Sequence, residues 1–226
     1  MDELGKPKLV ILPSAQALTE AAWQRLLVYV ADGGVLLVTG PVDRDEHWQV
    51  VNRLGPLGVS ARITPLDVRE SELRLPSADA TTAVSYPSEV QTAPIEIMRF
   101  AEGESVKSIP HGKGVMLWAA DPVEFAEGYD AAAALYRYAM RKAGVGEAFK
   151  QVRPLSAGVL VFPTVMKNAV LYSFSSECFD EQPVDIVDSI TKAHLRFAIS
   201  PQRGAMVLLN RSDGKVLASY RASLHE

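Results

Sequence analysis

Ser14, Thr39 and Asp121 each stand where an apolar run gives out. Ser14 follows Lys8-Leu9-Val10-Ile11-Leu12-Pro13, Thr39 with Gly40 ends Val35-Leu36-Leu37-Val38, and Asp121 follows Val115-Met116-Leu117-Trp118-Ala119-Ala120. In parallel-stranded sheets ligands bind beyond the carboxyl ends of the strands, so side chains at these places would face the cleft. Asp43, Asp45 and Glu46 could reach toward it, although acids at a helix start are also expected from the helix dipole. The residues singled out as a candidate cleft are Ser14, Thr39, Gly40 and Asp43.

A hydroxyl nucleophile on a strained strand-to-helix turn needs a small residue on each side. Pro13-Ser14-Ala15 lacks that flank and Val38-Thr39-Gly40 keeps only one. Ser14 and Thr39 are therefore expected to satisfy loop backbone groups. The rival reading is a hydrolase that uses one of them with a distant histidine.

Other chemistry finds less support. Cys178 lies in Ser176-Glu177-Cys178-Phe179, where nothing signals a stabilised thiolate. His47, His111, His194 and His225 are isolated from one another, so no metal site is expected. Gly112-Lys113-Gly114 precedes an apolar run, whereas a phosphate loop needs a strand before the glycines and a helix after them. No carboxylate pair can be nominated for glycoside cleavage, and no cofactor is expected.

The 226 residues are 48% hydrophobic and 22% charged, which suits a globular protein with one large or two modest cores. No apolar stretch approaches the roughly 20 residues that cross a bilayer. A soluble protein is expected, with the cytoplasm favoured. The net charge of -4 is uneven: residues 1–149 carry 14 Lys+Arg against 20 Asp+Glu, and residues 150–226 carry 9 against 7. Neither part has the basic stripe of a nucleic-acid binder, and a single cysteine excludes an intrachain disulfide.

The elements that would position these side chains are legible in part. Thr19 predicts an N-cap, followed by Trp23, Leu26, Leu27 and Val30 at helical spacing and a stop at Gly33-Gly34. Asp43 to Glu46 predict a second helix, with Trp48, Val51 and Leu54 on one side and Gly55-Pro56 at its end. Val59 to Ile63, Leu66 to Leu75 and Ile95 to Phe100 read as strands, and Pro76 to Pro94 as a surface excursion rich in Ser, Thr, Ala and Pro. A helix is predicted from Tyr129 to Ala143, buried along Leu135, Tyr136, Ala139, Met140 and Ala143. From about Lys150 short strand-like runs take over: Val159–Phe162, Ala169–Ser175, His194–Ser200, Ala205–Leu209 and Val216–Tyr220. Ser212-Asp213-Gly214-Lys215 turns the last two into a hairpin. The domains expected are 1–149 and 150–226. The chain enters its first strand after only a polar lead, Met1 to Pro7, so a piece of a longer polypeptide is expected.

Lys8 to Ala15, Leu18-Thr19-Glu20, Leu26 through Val30 and Gly33 to Gly40 together resemble the glutamine-amidotransferase-like, or trimerisation, domain that follows the catalytic barrel of bacterial β-galactosidases. Gly112 to Met116, Asp121-Pro122 and the helix ending Ala143-Gly144 suit its last strand and helix. The strand-rich tail is similar to the small β domain that closes such enzymes. The resemblance implies a flavodoxin-like α/β fold, a parallel sheet with helices on both faces, lacking its first strand and helix and followed by a small antiparallel domain. It carries over no chemistry: the amidotransferase cysteine has no counterpart here, and the glycosidase glutamates belong to a barrel this chain lacks. The function expected is a non-catalytic accessory region of a glycoside hydrolase. Its partner would be protein, by self-association or against a catalytic barrel, with exposed apolar residues clustered on one face and Tyr129, Tyr136 and Pro76 to Pro94 as places to look. A sugar or small-molecule module using Ser14, Thr39, Gly40 and Asp43 is the alternative. No nucleic-acid or membrane partner is expected.

Overall fold

A computed structural model describes residues 6–76, 81–91, 95–101 and 103–224. The chain divides into two compact units, Met1–Gly146 and Glu147–Glu226.

The first unit runs β1 (Leu9–Leu12), α1 (Glu20–Ala31), β2 (Val35–Thr39), β3 (Ala61–Pro65), β4 (Glu70–Arg74), β5 (Thr81–Ser85), β6 (Glu96–Phe100), β7 (Val106–His111), β8 (Gly114–Ala119) and α2 (Asp130–Lys142). Thr19 caps α1 as expected, its hydroxyl accepting from the Ala22 amide at 3.1 Å. One sheet has the order β1-β2-β8-β7, with β1, β2 and β8 parallel and β7 antiparallel at the edge. Both of its faces are covered. Leu37, Leu117 and Ala119 pack with Leu135 and Ala139 of α2 and with Leu73, Val84 and Tyr86. Leu36, Val38, Met116 and Trp118 pack with Trp23 and Val30 of α1 and with Met98 and Phe100 of β6. Double coverage is why β2 reads as a continuous apolar run rather than an alternation.

The flavodoxin-like, amidotransferase-like α/β class is not what forms. The described residues make fifteen strands and only two α-helices, and most strand pairs are antiparallel. A doubly wound sheet needs a helical crossover between successive parallel strands. Only β1 and β2 are joined that way. Between β2 and β8 the chain instead builds the antiparallel pairs β3–β6 and β4–β5. Pro65, Pro76, Pro87, Pro94 and Pro110 punctuate this stretch, each barring a helix interior.

Three local expectations are also corrected. The helix expected from Asp43 does not form, because the Asp45 carboxylate takes the His47 and Gln49 amides at 2.8 and 2.9 Å, and Trp48 turns to φ 59°. The Arg53 guanidinium holds this strap, donating to the carbonyls of Leu18 and Arg44 and lying over the Trp23 ring. The excursion from Pro76 to Pro94 contains β5, with Val84 and Tyr86 buried; residues 77–80 and 92–94 lie outside the described ones. The buried stripe of α2 is Ala131, Leu135, Tyr138 and Ala139, with Tyr136, Met140 and Ala143 only half-buried.

The second unit comprises β9 (Phe149–Gln151), β10 (Val159–Val165), β11 (Ala169–Ser176), β12 (Gln182–Asp188), β13 (His194–Ile199), β14 (Gly204–Asn210) and β15 (Val216–Tyr220). They form two antiparallel sheets, β10-β11-β14-β15 and β13-β12-β9. Inward residues of both sheets, among them Tyr172, Phe174, Ile186, Phe197 and Val207, share one core, so the unit is a small sandwich. β9 and β12 escaped the sequence reading. In β12 the inward position after Val184 and Ile186 is Asp188, which breaks the apolar alternation. Its carboxylate is fully buried and accepts from the Tyr172 hydroxyl at 2.6 Å and from the Thr191 hydroxyl and amide. Burial opposes charge on Asp188, but these bonds prevail and hold its pKa below the ordinary carboxylate value. Among the described residues no helix is long and apolar enough to cross a membrane.

Candidate functional site

The carboxyl ends of β1 and β2 converge on one carboxylate. Past β1, Ser14 takes φ 43°, a left-handed conformation that costs a non-glycine residue roughly 1 kcal/mol. That turn points its amide at the Thr39 hydroxyl, which accepts at 2.8 Å. With its oxygen occupied, Thr39 sends its proton to the Glu124 carboxylate at 2.7 Å. The Ser14 hydroxyl donates to the same carboxylate oxygen at 2.6 Å, and the Tyr136 hydroxyl to the other oxygen at 2.7 Å. Glu124 sits in the short 3-10 turn Val123–Phe125 after β8, and Tyr136 on α2. One acceptor thus ties two strand ends, a turn and a helix. Burial, together with the Glu124 carboxylate, raises the Tyr136 phenol pKa above its usual value.

Gly40 serves the same corner through its backbone. Its φ of 65° turns the chain out of β2 and presents its carbonyl to the indole N–H of Trp118 at 2.8 Å. Trp118 is fully buried, so its N–H needs that partner. A β-carbon on Gly40 would lie 3.2 Å from that of Pro122.

Asp43 belongs to a different network. Its carboxylate contacts Gln16 at 3.4 Å and Arg44 at 3.6 Å, and both of those residues also reach Glu96. Asp43 lines a cavity of about 360 Å³ together with Asn52, Arg53, Ser60, Met98 and Trp118. Ser14, Thr39 and Gly40 do not line that cavity. Asp121 is buried beyond β8 and accepts from the Ser71 hydroxyl at 3.2 Å; burial raises its pKa.

The structure therefore brings Ser14 and Thr39 together but sets Asp43 apart. Glu124 and Tyr136, which complete the cluster, were not assigned to it from sequence. Glu124 follows Asp121-Pro122 in a stretch with no periodicity, and Tyr136 reads as core. The available signal was their place, after the third parallel strand and on the helix that follows. Among the described residues no histidine bonds Ser14 or Thr39; His194 instead meets Asp185 at 2.6 Å in the second unit. Among the described residues the proton acceptor for both hydroxyls is the Glu124 carboxylate. The cluster's geometry is that of a latch.

No protein-family model and no curated protein matches the chain. Solved structures do. The chain is similar to Gan42B, a GH42 beta-galactosidase from G. stearothermophilus, at 15% identity and TM-score 0.63, over 90% of this chain and 32% of that one. It is similar to the beta-galactosidase of Bacillus circulans sp. alkalophilus at 16% identity and TM-score 0.62, over 91% and 33%. The polyextremophilic beta-galactosidase of the Antarctic haloarchaeon Halorubrum lacusprofundi gives 20% and 0.59, over 93% and 32%. At such identities the likeness is one of fold. The chain spans about a third of the length of these enzymes and folds as that third does.

Proposed function

We propose that this chain is a non-catalytic accessory region of a glycoside hydrolase, of the kind that follows a catalytic barrel and serves subunit assembly or packing against that barrel. The observation that carries the reading is the state of the strand ends. The two hydroxyls best placed for chemistry spend their protons on Glu124, and among the described residues no imidazole is bonded to either. The fold likeness to one third of GH42 beta-galactosidases supports the same reading, since nine-tenths of this chain is accounted for within them. Of the places expected to make contact, Tyr129 is 88% exposed, whereas Tyr136 gives its hydroxyl to Glu124 and Val84, Tyr86 and Val90 are buried.

The test is light scattering on the purified chain, alone and mixed with a catalytic barrel, paired with calorimetry against a panel of sugars. The expected result is a mass above the 24.6 kDa monomer in at least one mixture and no heat with any sugar. A strict monomer in both conditions would sink the assembly role. Sugar heat that disappears in Asp43→Ala would replace it with a binding module at the cavity beside Arg53.

A further inference from the structure

Asp121 is the strand-end residue that the latch does not use. It follows β8 and is 5% exposed, yet its carboxylate has one hydrogen bond, from the Ser71 hydroxyl to Oδ1 at 3.2 Å. Among the described residues Oδ2 accepts from no group, and no lysine or arginine pairs with the carboxylate. An acid just before a helical turn commonly caps it, but no side chain caps Val123–Phe125. A buried, unpaired carboxylate is costly, and burial raises its pKa accordingly. The second oxygen is not sealed in, as the Tyr86 hydroxyl is; it opens to a cavity that Asp121 lines.

That cavity holds about 360 Å³, within the range of small-ligand sites. Its lining is fixed in advance by hydrogen bonds. Ser105 donates to the Glu72 carbonyl at 3.2 Å and accepts from the Arg74 amide at 3.1 Å, while its own carbonyl takes the Ala120 amide at 2.8 Å. The Ala120 carbonyl in turn takes the Met98 amide at 3.2 Å. Three acids, Glu72, Glu104 and Asp121, line the cavity against one cation, Arg99. Glu72 pairs with Arg74 and Glu104 with Lys107, both at 3.1 Å, and Arg99 pairs with Asp67 at 3.5 Å. Of these four, Asp121 is the one without an ion pair among the described residues. Ile97, Met98 and Phe100 supply the apolar part of the lining.

We propose that this cavity binds a small organic ammonium compound, with its charged head on Asp121 Oδ2 and its apolar body against Met98 and Phe100. The charge of the head follows from the lining. A buried carboxylate with a free oxygen takes an N–H donor, and a charged donor also supplies the missing counter-charge. Two observations make the cation organic. Among the described residues no three acids, imidazoles or thiols converge to hold a metal ion. Ile97, Met98 and Phe100 give an apolar body, which a bare ion lacks, a surface to rest on. The inference stands apart from the protein-contact reading and needs no partner chain.

Calorimetry on the full chain tests this at about pH 8, where the amine is charged and a raised carboxyl group has still ionised. Benzylamine should bind with a Kd of about 1 mM or tighter, and benzyl alcohol, its neutral counterpart, at least about tenfold more weakly. Asp121→Asn keeps the shape of the side chain and should weaken benzylamine about tenfold or more. Its melting point should not fall, because the amide removes a buried charge that the chain itself leaves unpaired. Arg99→Gln, at an exposed position, should tighten benzylamine several-fold, because the competing cation is gone. Absence of heat with benzylamine up to about 20 mM, equal binding of amine and alcohol, or undiminished binding in Asp121→Asn overturns the proposal. If Asp121→Asn fails to fold, Arg99→Gln decides: tighter binding supports the site, and unchanged or weaker binding overturns it. None of these results bears on the protein-contact reading.

Discussion

Replacing Glu124 is the sharpest probe of the strand-end cluster. In Glu124→Ala three hydroxyls lose their acceptor together. Thr39 is 0% exposed and its oxygen already accepts from the Ser14 amide, so its proton is stranded away from water. An orphaned buried donor costs about 1–3 kcal/mol. Ser14 and Tyr136 are half-buried and can turn to water, each losing about 0.5–1 kcal/mol net. Together the loss is about 3 kcal/mol. At about 2–4 °C per kcal/mol for a chain of this size, the melting point should fall by about 6–12 °C. Glu124→Gln keeps one acceptor oxygen but turns an NH₂ toward a hydroxyl, so it should fall by about half as much. Tryptophan fluorescence isolates the relevant unit, because Trp23, Trp48 and Trp118 all lie in it. A double-mutant cycle with Tyr136→Phe should return a positive coupling of about 1 kcal/mol. If Glu124→Ala melts within about 1 °C of the native chain, the latch contributes nothing and the structural role assigned to Ser14 and Thr39 fails.

Ser14→Gly should be less destabilising than Ser14→Ala by about 1 kcal/mol, since glycine accepts the φ of 43° without strain while both lose the hydroxyl; equal values in chemical denaturation would contradict this. Gly114→Ala should severely destabilise or unfold the first unit, because a β-carbon there would sit 2.2 Å from the backbone carbonyls of Gly34 and Val30, as soluble yield and circular dichroism would reveal. Asp188 should supply stability that is present above about pH 4, its ordinary value, and lost as pH falls through its depressed folded value. Acid titration of Asp188→Asn should therefore have a shallower stability slope in that window than the native chain. Tyr136 and Tyr172 work at the other end of the scale. Their raised pKa values mean stability is full below about pH 10 and lost as pH climbs toward the folded values, so Tyr172→Phe should soften the alkaline transition.

What the sequence reveals here follows from how local each signal is. Thr19, the Trp23 to Val30 spacing and Gly33-Gly34 specify α1 within one segment, and β2 and β8 announce themselves because burial on both faces makes them apolar runs, Thr39 at the end of β2 excepted. The Asp43 helix misled because an acid near a helix start and an acid capturing loop amides look alike until the backbone is seen; Asp45 took the second course. The flavodoxin-like expectation extended a true parallel trio, β1, β2 and β8, over an intervening stretch that pairs with itself as antiparallel ribbons. Ser14 and Thr39 could be named because strand ends are legible. Glu124 could not be paired with them, because a contact spanning 85 residues to Thr39 leaves no local pattern. β12 was hidden by Asp188, whose place inside the core makes sense only with Tyr172 and Thr191 beside it.

The proposed function requires that the strand-end hydroxyls hold the fold and break no bonds. Its most direct test is turnover of chromogenic glycosides and of nitrophenyl esters by the purified chain, alongside a Ser14→Ala/Thr39→Val variant checked for folding. The expected result is no turnover above the buffer blank from either protein. Turnover by the native chain that vanishes in the folded variant would contradict the claim outright.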